Sequence, residues 1–123
     1  MIVASVNSRY EIQVELPLLA TDGTVHVVQA LVDTGFSGYL TLPPAIVSNV
    51  GFPWRSDENF VLANGQVNLF KVHVATLQWD GRPRRVAAQV LDSTPLIGMG
   101  LLVGYDLAAR VLVGGRVVMS RIP

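Results

Sequence analysis

The chain of 123 residues lacks cysteine altogether, and only 15% of its residues are charged. Without cysteine there are no disulfide bonds, no thiolate catalysis and no cysteine-based zinc sites, which fits a cytoplasmic protein. Basic and acidic residues number nine each, so the formal net charge is zero and no basic surface for nucleic acid is expected. No apolar run approaches the ~20 residues that span a bilayer, and no basic-then-apolar signal peptide opens the chain. We therefore expect neither a nucleic-acid partner nor a membrane partner.

The chain has only two histidines, His26 and His73, and each lies within a predicted strand. Their spacing is not typical of a metal site, so both are interpreted as structural. Trp54 and Trp79 lie near loops, where large rings usually cover a small core. We therefore expect no metal ion and no other cofactor.

Many short apolar segments, separated by eleven glycines and seven prolines, predict a mainly β fold. One domain is expected to span residues 1–123. Half of the residues are apolar, and in so small a chain a second subunit could cover part of that surface. Strands are predicted at residues 10–19, 25–32, 39–42 and 94–98. Hairpins are predicted around Asn64-Gly65, where both residues accept the positive φ of a two-residue type I′ turn, around Asp80-Gly81, and around Gly114-Gly115 between strands at residues 110–113 and 116–120.

Helical periodicity is limited to two places. Residues 44–50 predict a single turn that begins with proline, and residues 100–109 predict one short C-terminal helix with an Asp106–Arg110 pair on one face. Arg82, Arg84 and Arg85 surround the second hairpin turn, and we interpret them as a solvated basic tip.

One acid lies at the end of an apolar strand and is followed by a turn of small residues. The strand at 25–32 leads into Asp33, Thr34 and Gly35, and a second apolar segment follows. A buried carboxylate is unfavourable unless it is paired or hydrogen-bonded, so an acid here either closes a turn or has a function. Asp-Thr-Gly closes many ordinary turns, and the triplet alone leaves both interpretations open.

The flanking residues favour a function. Apolar-apolar-Asp-Thr-Gly-x-Ser followed by a strand, as in residues 31–43, resembles the active-site loop of aspartic proteases of the retropepsin type. Residues 95–102, Pro-Leu-Ile-Gly-Met-Gly-Leu-Leu, resemble the segment that runs behind that loop in this family. The motifs lie about sixty residues apart in the family's order, with a hairpin between them. The resemblance covers essentially the whole chain, is nearest to small single-domain bacterial members, and implies a closed β-barrel with one short C-terminal helix.

The resemblance also implies an aspartic endopeptidase and the roles of its site residues. Asp33 would be the catalytic acid/base, supported by Thr34 and Gly35. Phe36 and Ser37 would contact the peptide or protein substrate, and so would Asn64 and Gly65, at the tip of a flap. Acid-assisted hydrolysis needs two carboxylates that share one site, and the chain has a single Asp-Thr-Gly. A homodimer would therefore be required, with one Asp33 from each subunit.

Some positions differ from the family pattern. Retroviral members carry a pairing Asp and Arg where this chain has Ser37 and Met99, and their chain ends interleave between subunits. Residues 1–6 and 117–122 are apolar enough for that, but other modes of association remain open. Phe36 brings no hydroxyl to the carboxylates, which predicts an activity optimum that is less acidic than that of relatives with serine there.

Two alternative functions remain open. One is a retropepsin-like dimer that binds peptide or a partner without cleavage, and the other is a non-enzymatic β-barrel in which Asp33 only closes a turn.

Overall fold

Ten strands and two short helices make up the fold in the computed structural model, which describes residues 1–123. In chain order they are β1 (Ile2–Val6), β2 (Ile12–Leu19), β3 (Val25–Val32), β4 (Leu40–Leu42), α1 (Pro44–Val50), β5 (Trp54–Val61), β6 (Val67–Trp79), β7 (Arg82–Val90), β8 (Leu96–Ile97), α2 (Met99–Leu102), β9 (Tyr105–Ala109) and β10 (Arg116–Arg121).

All ten strands belong to one sheet, in the order β5-β6-β7-β4-β8-β3-β2-β1-β10-β9. Neighbours are antiparallel except for β3 with β8 and β4 with β7. One further pairing, between Leu18 and Leu77, joins β2 to β6 and brings the two ends of a six-strand segment together. The predicted mainly β class is confirmed. A single pair of residues does not define a closed barrel, which stays a prediction.

The core lies inside this curved sheet and follows the alternation seen in the sequence. Val14, Leu16 and Leu18 on β2 are buried, as their spacing of two predicts. β3 has the predicted bounds. A strand this apolar is usually covered on both faces, but Val25 and Val27 on the outer face of β3 are exposed. Trp79 is buried in the core, whereas Trp54 is exposed and donates its indole N–H to Asp57.

The predicted helical turn at residues 44–50 is confirmed as α1. Pro44 occupies its first turn, where a missing N–H removes no helical hydrogen bond. Gly51 ends the helix with φ 82°, and its N–H donates to the carbonyl oxygen of Val47 at 3.0 Å. This is the left-handed C-terminal cap that glycine adopts without steric strain.

The prediction of a helix at residues 100–109 is wrong. α2 ends at Leu102, Gly104 takes φ 86°, and the chain then enters β9. Residues 105–109 pair with β10, so their backbone N–H and C=O groups bond across strands and not along a helix. Asp106 consequently lies opposite Ser120 and forms no helical pair with Arg110. The last hairpin is also shifted, because residues 110–113 lie in its loop and not in a strand.

The two ends of the chain pair with each other. β1 is antiparallel to β10 from Ile2–Met119 to Ser5–Arg116. β10 lies between β1 and β9, so neither of its edges is free for a strand of another subunit. Neither helix is long and apolar enough to cross a membrane.

The three arginines near the Asp80-Gly81 turn differ in their surroundings. Arg82 and Arg85 are exposed, as a solvated tip requires. Arg84 is half-buried, donates a hydrogen bond to the carbonyl oxygen of Leu101 at 3.1 Å, and lies 5.9 Å from the ring centre of Tyr39. The prediction of a solvated basic tip is therefore wrong for Arg84.

Candidate active site

The Asp33 loop is held by backbone hydrogen bonds at the end of β3. The Asp33 N–H donates to the carbonyl oxygen of Ile97 on β8 at 2.9 Å, and the Phe36 N–H donates to the carbonyl oxygen of Asp33 at 3.1 Å. The Gly35 N–H donates to Asp33 Oδ1 at 2.9 Å. Asp33 is half-buried, while Thr34 and Gly35 are exposed. The loop therefore presents one oriented carboxylate at a turn that a second molecule can approach.

The second sequence motif lies directly behind this loop. The Met99 N–H donates to the carbonyl oxygen of Phe36 at 2.7 Å, and the Gly100 N–H donates to that of Gly38 at 3.0 Å. The Gly98 N–H donates to the carbonyl oxygen of Tyr39 at 3.0 Å. Three consecutive residues of the second motif thus donate hydrogen bonds to the backbone of the segment that follows Asp33.

A cleft of about 620 Å³ lies between the Asp33 loop and the β5–β6 hairpin. Of the site residues predicted from the sequence, Asp33, Gly35, Phe36 and Ser37 line it. Its walls are mostly apolar, and Asp33 is the only charged residue among them. The other lining residues are Gly38, Thr41, Phe60, Val61, Leu62, Ala63, Phe70, Gln89, Leu91 and Leu96.

The β5–β6 hairpin has its turn at Asn64-Gly65, in agreement with the sequence signal. Only Gly65 has a positive φ, 83°, so the predicted two-residue type I′ turn is wrong. The loop is longer: the Leu62 N–H donates to the carbonyl oxygen of Gln66 at 2.8 Å. Asn64 Oδ1 accepts from the Gln66 N–H at 2.9 Å. Asn64 and Gly65 are exposed and do not line the cleft, whereas residues 61–63 just before them do.

Thr34 faces a different depression on the other side of the loop. This depression, of about 390 Å³, is lined by Tyr10, Glu11, Ile12, Leu31, Val32, Asp33, Thr34 and Leu96. Asp33 thus borders both concave surfaces. Glu11 is the only other acid in either lining, and its Oε1 accepts a hydrogen bond from Asn7 Nδ2 at 3.0 Å.

The other candidate ligands do not gather into a site. His73 Nδ1 lies 2.8 Å from the carbonyl oxygen of Phe52, to which it donates, and His26 is on another strand. No group of three or more His, Cys, Asp or Glu side chains is arranged to hold a metal ion.

Sequence reasoning missed three side chains that form the cleft. Phe60 and Phe70 face each other across the hairpin with ring centres 5.5 Å apart, and Gln89 reaches the cleft from β7. A weak signal existed for Phe70, since Phe70, Val72 and Val74 alternate with more polar residues along one strand. No feature of the sequence around Gln89 predicted that it lines the cleft. Its position depends on the pairing of β7 with β4, in which Gln89 lies opposite Thr41.

The fold is that of a mainly β protein with an acid-bearing loop braced by a second, glycine-rich segment. No family model matches the sequence, and no curated protein does. The structure is similar to a retropepsin-like aspartic protease from Rickettsia conorii, with TM-score 0.58 and 14% identity over 99% of this chain and 91% of that one. It is also similar to EIAV protease in complex with the inhibitor HBY-793, with TM-score 0.54 and 17% identity over 74% of this chain and 86% of that one. The chain therefore has a retropepsin-like fold.

Proposed function

We propose that the chain is an aspartic endopeptidase that acts as a homodimer, with Asp33 of each subunit at the two-fold axis. The observation that carries this proposal is that Asp33 lines a mostly apolar cleft together with residues of the β5–β6 hairpin, in a retropepsin-like fold. An extended peptide can lie in such a cleft, with the hairpin as a flap over it. The Gly35 N–H bond to Asp33 also occurs in ordinary turns, so the proposal depends on the cleft and not on that bond.

The proposed chemistry uses two carboxylates and a water molecule. Two close carboxylates cannot both ionise readily, so one is protonated and the other is not. The ionised Asp33 accepts a proton from the water as its oxygen attacks the scissile carbonyl carbon. The protonated Asp33 of the partner donates a hydrogen bond to the carbonyl oxygen, where negative charge develops. The Asp33 that took the proton from water then gives it to the scissile nitrogen as the C–N bond breaks, which releases an amine and a carboxylic acid without a covalent intermediate.

The other residues of the loop have supporting roles in this proposal. Thr34 is exposed beside Asp33, where its hydroxyl can donate to the partner's loop. Gly35 lets the substrate backbone approach closely, since a side chain there would begin 3.3 Å from Asp33 Oδ1. Phe36 and Ser37 line the cleft, and the proposal assigns them to the wall next to the scissile bond. The proposal assigns Asn64 and Gly65, at the turn of the β5–β6 hairpin, to the tip of the flap.

A comparison of the parent with Asp33→Asn tests the proposal. Asparagine preserves size but cannot act as the ionisable acid/base. A diverse peptide mixture is incubated with each protein from about pH 4 to about pH 7, and the products are read by mass spectrometry. Asp106→Asn is the matched control, because Asp106 is exposed on β9 and three strands lie between β9 and β3. We expect cleavage by the parent and the control and none by Asp33→Asn.

The main alternative is a retropepsin-like dimer that binds peptide without cleaving it. The observation that favours it is the loss of both members of the retroviral charge pair, at Ser37 and the exposed Met99. Absence of cleavage by a parent protein that sedimentation shows to be dimeric, together with peptide binding, would favour this alternative.

A further inference from the structure

Three chain connections lie side by side at one end of the sheet. β3, β2, β1 and β10 are consecutive antiparallel neighbours, so β3 ends where β2 begins, β1 ends and β10 begins. The register pairs Gln13–Leu31 and Val6–Ile12 align these ends. The Gly114 N–H donates to the carbonyl oxygen of Val6 at 2.8 Å, which aligns the β9–β10 loop with them. The Asp33 loop, the turn at residues 7–10 and the β9–β10 loop therefore share one end of the sheet.

The β9–β10 loop presents apolar side chains to solvent at that end. Val111, Leu112 and Val113 are 65%, 66% and 62% exposed, and Tyr10 in the neighbouring turn is 66% exposed. We call these four residues the end patch. Consecutive exposed apolar side chains are unfavourable in water and often mark an interaction surface.

The loop that carries the end patch has a defined conformation. The Leu112 N–H donates to the carbonyl oxygen of Arg110 at 2.9 Å, and the Gly115 N–H donates to that of Leu112 at 2.8 Å. A Cβ on Gly115 would lie 1.9 Å from the carbonyl oxygen of Arg110, so only glycine permits this close turn. The backbone thus holds the apolar side chains outward, away from the core.

We propose that a second copy of this chain covers the end patch, around the two-fold axis that brings the two Asp33 loops together. This inference rests on the proposed function, since a dyad built from one Asp33 per chain needs the second copy at this end. The β9–β10 loop lies between three and four strand spacings from β3, which is about 15–19 Å, whereas Tyr10 lies in the turn beside β2, the immediate neighbour of β3. A typical interface buries about 800 Å² per partner, which as a round patch has a radius of about 16 Å. An interface centred on Asp33 therefore covers Tyr10 and reaches the near side of the β9–β10 loop.

Interleaved chain ends do not offer the same route to a dimer. β10 is paired on both edges within its own chain, so a partner strand could join it only after β1 or β9 separated. Association through the end patch leaves all of these strand pairs intact.

A second exposed apolar surface, around Val25 and Val27, is too far from Asp33 to form a dimer that brings the two Asp33 loops together. It lies at the start of β3, about 27 Å along the strand from Asp33. A two-fold dimer formed there would keep the two Asp33 loops far apart. Val25, which is 58% exposed, is therefore the matched control for Val111.

Sedimentation equilibrium of the parent chain, Val111→Asp and Val25→Asp tests the inference. Aspartate at a buried interface position loses apolar burial and places a charge there, so Val111→Asp should raise the dimer dissociation constant about 100-fold. Val25→Asp should leave it within about threefold of the parent value. Circular dichroism verifies that both variants are folded.

A second measurement does not depend on a destabilising charge. The chain has no cysteine, so Leu112→Cys and Val25→Cys each carry a single thiol. The rate of alkylation of each thiol is followed as protein concentration increases. We expect the thiol at position 112 to become protected in proportion to the dimer fraction, and the thiol at position 25 to react at a constant rate.

The outcomes separate this inference from the proposed peptidase. Unchanged dimerisation of Val111→Asp with no protection at position 112 would overturn the inference, even if the parent cleaves peptides. A parent that stays monomeric up to about 1 mM would also overturn it. Protection at position 112 in a dimer without cleavage would support this interface and refute the peptidase.

Discussion

A Cβ atom on Gly98 would lie 2.1 Å from the carbonyl oxygen of Gly38. The same atom would lie 2.6 Å from the Phe36 ring, so backbone and ring both crowd this position. Gly98 therefore lets the segment behind the Asp33 loop approach that loop closely enough for the hydrogen bonds described above. The two sequence motifs are parts of one packed unit, although about sixty residues separate them along the chain.

Gly98→Ala should destabilise the protein by about 2–3 kcal/mol, because a backbone atom cannot move aside as a side chain would. Urea unfolding monitored by circular dichroism measures the change. Gly23→Ala is the control: Gly23 has φ 87° but no atom within 4 Å of the new Cβ, so only about 1 kcal/mol of backbone strain is expected. Equal losses for the two variants would contradict the proposed close contact.

The sequence predicted the elements whose signals are local. β3 has its predicted bounds, and the turns at Asn64-Gly65 and Asp80-Gly81 lie between paired strands, because alternation and turn residues are properties of a few neighbouring residues. The predicted helix at residues 100–109 was wrong for a non-local reason. Apolar residues there fit a helical period as well as a strand, and pairing with β10 decided between them.

The candidate site also has one part that could be predicted from the sequence and one part that could not. The Asp33 loop could be predicted because the acid, the turn and the flanking strand are contiguous in the sequence. The cleft opposite it could not, because Phe60, Phe70 and Gln89 come together only through the pairing of β5, β6, β7 and β4. The flap tip was predicted at the turn itself, while the residues that line the cleft precede it.

Arg84→Met should destabilise the protein by about 1–2 kcal/mol. The variant keeps the apolar stem but loses the hydrogen bond to Leu101 at the end of α2 and the stacking on Tyr39. Arg85→Met, on the exposed face of the same strand, should change the unfolding free energy by less than about 0.5 kcal/mol. Thermal unfolding of both variants measures the difference, and an equal effect would mean that Arg84 is merely a solvated side chain.

Asp80 should make stability depend on pH in the acidic range. The N-terminal amine of Met1 donates a hydrogen bond to its carboxylate, and this contact, followed by the hydrogen bond from the Tyr105 hydroxyl at 3.0 Å, lowers the pKa of Asp80 in the folded state. A lowered folded-state pKa stabilises the fold above the unfolded-state pKa of about 3.9, and the contribution disappears as pH falls through the folded value.

Asp80→Asn isolates this contribution, because asparagine tolerates the positive φ of 53° at this position and can still accept from Tyr105. We expect the parent to be more stable than the variant near neutral pH, with the difference shrinking below about pH 4. Urea unfolding of both proteins across that range measures it. A difference that is constant with pH would rule out the carboxylate charge as its cause.

Phe70 and Leu69 are neighbours on β6 whose side chains point to opposite faces of the hairpin. Phe70 lines the cleft and packs on Phe60, whereas Leu69 is exposed. If the chain cleaves peptides, Phe70→Ala should raise KM about tenfold by removing apolar contact with the substrate, with kcat within about twofold of the parent, because that contact is made equally in the ground and transition states. Leu69→Ala should leave both parameters near the parent values. Steady-state kinetics on one cleaved peptide measures KM and kcat for both variants. A fall in kcat alone for Phe70→Ala would mean that the hairpin positions the reacting groups and does not simply hold the substrate.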